Sequence, residues 1–155
     1  MKAHDCRARR WLLAVLLAIG CSVATAEPID LQLLGAPTHK VVYQLNKADA
    51  DYINGILFSV GEMLRRYGDD IQIVITLFGP GIHLIAKQPG RPISPEARAR
   101  AASLAAYGVE FHACGNTLKS LHWTAKDVLD YATVVDVGAD DLMRLQEQGY
   151  AYISW

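Results

Sequence analysis

Ile71-Gln72-Ile73-Val74-Ile75-Thr76-Leu77-Phe78, closed by Gly79-Pro80-Gly81, is the stretch from which the architecture follows. Only Gln72 and Thr76 interrupt the apolar run, so it reads as a strand covered on both faces, as in a parallel sheet sandwiched by helices. Gly-Pro-Gly ends it abruptly. Before it, Ala48 to Tyr67 places Ile53, Ile56, Leu57, Val60, Met63, Leu64 and Tyr67 on one helix face, with Gly68 as the cap beyond. A β-rich run from Lys40 to Leu45, ending at Asn46, precedes that helix.

After the run come a short apolar segment, Ile82 to Ala86, and an exposed loop from Lys87 to Pro92. Ser94-Pro95-Glu96 supplies an N-cap, a proline at the first helical position and an acid in the first turn, predicting a helix to Tyr107 with Gly108 beyond. A strand containing His112 follows. Thr124-Ala125-Lys126-Asp127 fits a capping box and predicts a short helix to Tyr131. Thr133 to Val137 reads as strand, Ala139 to Gln148 as helix and Tyr150 to Ser154 as a last strand. Five strands separated by helices predict a single-domain, three-layer α/β/α fold with a mostly parallel sheet over 40–155.

The N-terminus is of another kind. Lys2, Arg7, Arg9 and Arg10 precede an apolar run from Trp11 to Val23 and the small residues Ala24-Thr25-Ala26. This pattern is that of a signal peptide spanning 1–26, cut after Ala26, with residues 27–39 as an arm; the run is shorter than a comfortable bilayer span. The expected destination is the periplasm. Arg9-Arg10 is a partial twin-arginine match, an uncleaved anchor is one alternative, and Ala18-Ile19-Gly20-Cys21 as a lipid-attachment box is another.

The chain carries 15 Lys+Arg against 16 Asp+Glu; loss of 1–26 leaves 11 against 15. A mildly acidic domain without basic runs has no electrostatic footprint for nucleic acid. Cleavage also removes Cys6 and Cys21, leaving Cys114 as the sole cysteine. A lone thiol in an oxidising compartment is either buried packing or a chemically used sulfur.

In open parallel sheets, ligands gather beyond the carboxyl ends of the strands. Here those ends carry Asn46, Gly79-Pro80-Gly81, Cys114-Gly115-Asn116 and Gly138. Cys114 is the candidate nucleophile; Gly115 permits close backbone approach, and Asn116 and Thr117 suit a turn opening a helix from about Leu118. His112, two residues back on the same strand face, is placed to tune the thiol. Asn46, Gly79, Pro80 and Gly81 are the candidate binding positions. Asp69-Asp70 reads as a solvated turn, and Asp140-Asp141 as acids favouring a helix N-terminus. No phosphate-binding signature follows Gly79-Pro80-Gly81.

Ala113-Cys114-Gly115-Asn116-Thr117-Leu118-Lys119 resembles the DsrE/DsrF-like family, specifically a branch with a Cys-Gly-Asn-Thr-Leu turn. The likeness extends to Val41–Leu45, to Leu77–Ile82 and to the long segment Leu142–Ile153. It implies a compact α/β subunit that forms trimers or hexamers. In the relay members of that family, the cysteine matching Cys114 accepts sulfane sulfur as a persulfide and passes it on. Those members work in the cytoplasm, and their cysteine precedes a more Ala-rich segment; this chain departs on both points.

Three functions compete. The first is a periplasmic sulfane-sulfur carrier in which Cys114 takes sulfur from a small sulfur compound or a donor protein, with no cofactor. The second is an oligomeric binding or assembly module in which Cys114 is structural. The third is a metal site combining Cys114 and His112 with His83 or His122, although their spacing is not diagnostic of zinc.

Overall fold

The computed structural model describes residues 35–155. The expected signal 1–26, Cys6, Cys21 and most of the 27–39 arm lie outside the described residues. Among those described, no helix is long and apolar enough to cross a membrane.

Five parallel strands form one sheet: β1 (His39–Leu45), β2 (Ile71–Leu77), β3 (Glu110–Cys114), β4 (Ala132–Val135) and β5 (Ala151–Ile153), in the order β4-β3-β2-β1-β5. The helices are α1 (Ala50–Tyr67), α2 (Pro95–Ala106), α3 (Gly115–Ser120) and α4 (Gly138–Glu147). β2 sits at the centre with every residue but Gln72 buried, as its near-continuous apolar sequence requires.

Alternate strand residues feed two unequal cores. The larger joins Val41, Tyr43, Leu45, Ile73, Ile75, Leu77, Phe111 and Ala113 to the inner faces of α1 and α2. The smaller packs Leu142 and Leu145 of α4 on Val42, Val74 and Tyr150, with Phe78 beside them. The same α4-facing side of the sheet carries Thr76 and His112, adjacent in the β2–β3 register, and ends at Cys114.

Local chemistry sets the helix ends. Asp49 caps α1 by accepting from the Tyr52 N–H at 2.9 Å, so the helix opens at Ala50 and not at Ala48. Ser94 caps α2 by accepting from the Ala97 N–H at 3.1 Å. The Thr124 capping box forms, but it closes only the single tight turn Ala125–Asp127. A helix to Tyr131 is excluded because the backbone there is used elsewhere: Lys87 N–H donates to the Asp127 carbonyl and Leu129 N–H to that of Ile85, both at 2.8 Å. The partner segment, Gly79–Ile85, is a run of tight 3₁₀ turns with Ile82, Leu84 and Ile85 fully buried.

Gly81 is where this segment meets β1. A Cβ there would lie 2.2 Å from the Leu45 carbonyl oxygen, a contact only backbone movement relieves. Gly81→Ala is therefore expected to lower the unfolding free energy by about 1–3 kcal/mol. Gly55→Ala, within α1 where an added Cβ meets nothing within 4 Å, should raise it by about 0.5–1 kcal/mol. Urea unfolding of both variants checks this, and two near-zero effects would contradict the close β1 contact.

Candidate functional site

The site is built where β3 turns into α3. Cys114 is at once the last residue of β3 and the N-cap of α3, which begins at Gly115, three residues before the expected Leu118. Gly115 makes the sharp turn possible: a Cβ there would lie 2.9 Å from the Val135 carbonyl oxygen and 3.1 Å from that of Asp136. The Asn116 N–H donates to the Asp136 carbonyl at 3.2 Å, tying the turn to the end of β4.

The chain then enters α4 against the sulfur. Gly138 N–H donates to Cys114 Sγ at 3.2 Å. It is one of the first N–H groups of a helix and has no intrahelical acceptor to satisfy it. Glycine suits this close approach, since a Cβ would stand 3.1 Å from Cys114 Cβ and 3.2 Å from the Phe78 ring, and those side chains would have to give way.

Burial pushes the Cys114 thiol up, but the Gly138 N–H on the sulfur, with the polar groups of Thr117 and Asn116 in the adjoining turn, outweighs it, and the thiol is held below its ordinary value. The Thr117 hydroxyl oxygen accepts from the Gly79 N–H at 3.0 Å, which ties the α3 turn to the segment after β2. The sulfur is nevertheless covered, with Cys114 only 5% exposed. Phe78, half-buried, lies beside Gly138 and lines a groove of about 560 Å³ with Gln44, Ala139, Leu142, Met143 and Tyr152.

His112 shares the face of Cys114, but its ring nitrogens are turned to carboxylates. Nδ1 lies 3.0 and 2.9 Å from the two oxygens of Asp141, and Nε2 lies 3.5 Å from Glu110. Asp141 also accepts from the Thr76 hydroxyl at 2.8 Å. Burial alone would lower the His112 pKa; the hydrogen bond and charge of Asp141, reinforced by Glu110, raise it above the usual histidine value. Burial would raise Asp141, and its bonds to His112 and Thr76 bring it below the usual carboxylate range.

Of the residues singled out in the sequence, Cys114, Gly115, Asn116 and Thr117 form the β3–α3 turn, and Gly79 is bonded to that turn through the Thr117 hydroxyl. Asn46 is held at the end of β1, its side-chain oxygen accepting from the Tyr52 hydroxyl at 3.1 Å. Pro80 is exposed in the first 3₁₀ turn, and Gly81 is buried under Leu45. His83 accepts from the Gly90 N–H at 3.1 Å and packs edge-on to Trp123. Among the described residues no cluster of His, Cys, Asp and Glu has the makings of a metal site.

Sequence reasoning missed Gly138 as a sulfur donor and Asp141 as a histidine partner. The available signal was Thr76, a hydroxyl in the most buried strand, which must bond something on the face it shares with His112.

The model of the DsrE/DsrF-like family matches residues 39–155. Among solved structures, the chain is similar to the protein of unknown function MTH1491 from Methanobacterium thermoautotrophicum, with 23% identity and a TM-score of 0.68 over 76% of this chain and 99% of that one. It is similar to the ychN protein from E. coli, with 12% identity and a TM-score of 0.61 over 76% and 99%. It also resembles BT1422 from Bacteroides thetaiotaomicron, a conserved protein of unknown function, at 16% identity and a TM-score of 0.59 over 75% and 94%. At these identities the structures establish a shared fold. No curated protein matches the chain.

The His112–Asp141 pair sets a pH dependence. A raised histidine stabilises the fold fully below its unfolded value of 6.5, and that contribution disappears as pH rises through the folded value. A depressed aspartate contributes above 3.8 and stops contributing as pH falls through its folded value. The gap in unfolding free energy between the wild type and His112→Gln should be widest from pH 3.8 to 6.5 and shrink on the alkaline side. Denaturant titrations across pH check it; a gap independent of pH would contradict the ion pair.

Proposed function

The chain belongs to the DsrE/DsrF-like family, and from that premise we propose that it is a sulfur-handling protein whose working atom is Cys114 Sγ. The observations that carry the reading are the Gly138 N–H donated to the Cys114 sulfur at 3.2 Å and a thiol held below its ordinary value in spite of burial. A cysteine used only for packing has no need of either.

The step is a thiol–persulfide exchange. The Cys114 thiolate attacks the outer sulfur of a donor persulfide, R–S–S⁻. The donor S–S bond breaks, R–S⁻ leaves with the electron pair, and Cys114–S–S⁻ remains. No oxidant, metal or cofactor enters the balance. The N-terminal pattern favours the periplasm as the place of action, and the family resemblance favours a homo-oligomer.

The slight exposure of Cys114 favours a second reading, in which the thiol is structural and the domain is an assembly module. Reagents of different size separate the two. In the sulfur-handling reading, the native protein reacts with small alkylating agents and Phe78→Ala accelerates reaction with a bulky aromatic disulfide severalfold, as the ring beside Gly138 is removed. A thiol that reacts only after denaturation, in wild type and variant alike, supports the module.

Sulfur loading is the direct test. Mature protein incubated with polysulfide and weighed intact should gain one sulfur atom, lose it again to a reductant, and fail to gain it as Cys114→Ser. Unchanged mass in the wild type would remove the sulfur-handling reading.

A further inference from the structure

The geometry points to His112 as a positioning residue that fixes the first turn of α4 to the sheet and so keeps the Gly138 N–H on the Cys114 sulfur. Two attachments join β3 to α4. Cys114 meets Gly138, and His112 meets Asp141. The strand members are two residues apart, about 6.7 Å along β3. The helix members are three apart, about 4.5 Å along α4. They form neighbouring rungs between the same two elements, so displacing one displaces the other.

The His112 rung is the stronger of the two. Asp141 is bonded at once to His112 on β3 and to Thr76 on β2, and the side chains of His112 and Asp141 are only 12% and 13% exposed. Removing the imidazole would leave a largely buried carboxylate with one hydroxyl donor, a situation relieved by moving the helix turn toward water. A Gly138 N–H attached to that turn leaves with it.

The charged and titratable groups around His112 are few. Asp141 faces it from α4, where the neighbouring Asp140 is paired with Arg144 at 2.7 Å. Glu110 faces it from β3 and is itself held by the Gln72 amide of β2 at 2.9 Å. Thr76 on β2 and Thr133, its β4 neighbour in register, are uncharged. Both ring N–H groups of a protonated His112 thus point at carboxylates, and protonation tightens the rung. His112 and Cys114 share no hydrogen bond among the described residues, so its effect on the sulfur passes through α4.

The use of this device rests on the sulfur-handling reading; its existence is tested apart from it. Cys114 is alkylated with a small haloacetamide over a pH series in the wild type and in His112→Gln, with labelling read by intact mass. The variant should label about tenfold more slowly near neutral pH, the scale of one charge-assisted donor lost from a thiolate. At alkaline pH, where the thiol is ionised in both proteins, the rates should converge. Superimposable profiles would overturn the inference, since a merely structural role lowers stability without moving the profile.

A second measurement needs no variant and no reagent. In the NMR spectrum of the wild type, the Gly138 amide should shift with pH in step with His112, and an amide that ignores the histidine titration would overturn the inference equally. Displaced profiles in a protein that never takes up sulfur would leave the His112 coupling standing and remove the sulfur chemistry. Sulfur uptake with profiles that coincide would do the reverse.

Discussion

One contact organises this molecule: the Gly138 N–H donating to the sulfur of Cys114. It requires β3 to end where it does, β4 to finish alongside it, and α4 to begin with its free N–H groups directed at the strand end. Each condition has a local cause. Gly115 lets β3 turn into α3 against the β4 carbonyls, and Gly138 lets α4 approach without a side chain between helix and sulfur. The result is a thiol in a covered position that is nevertheless held below its ordinary value.

Burial and donation act against each other here. Taking a thiolate out of water is costly, and a covered cysteine is ordinarily an inert one. The Gly138 N–H at the start of α4 works against that cost, provided the helix stays in place. The rest of the α4 face can be understood as keeping it there. Leu142 and Leu145 seat the helix on Val42 and Val74. The Thr76–Asp141–His112 network anchors its first turn with polar bonds in a setting of low exposure, where such bonds are strong when complete and costly when broken.

The sheet was readable from sequence because β2 is nearly all apolar and the helices carry caps at fixed offsets. Ser94-Pro95 marks a start that no tertiary contact overrides, whereas the Asp49 cap went unread and the start of α1 was set two residues early. Thr124 shows the limit of such local signals: its capping box forms, yet the Gly79–Ile85 segment recruits the following backbone and stops the helix after one turn. For the site, Cys114 and its turn were readable because Gly-Asn-Thr after a strand is a local pattern. The partners were not. Asp141 and Gly138 lie 29 and 24 residues from the atoms they serve, and an acid near a helix N-terminus is adequately explained by the helix dipole until the facing strand is known. His112 was placed on the correct face, but its hydrogen-bond partners depend on which helix covers it.

The claim on which the account depends is that Cys114 is a thiolate at lower pH than an ordinary cysteine despite being covered. The Cβ chemical shift of Cys114, followed across pH in the native protein and in the same chain under denaturing conditions, reports this directly. A native midpoint below the denatured one is expected, whereas a native midpoint at or above it would mean that burial prevails over the Gly138 N–H and that the sulfur is packing.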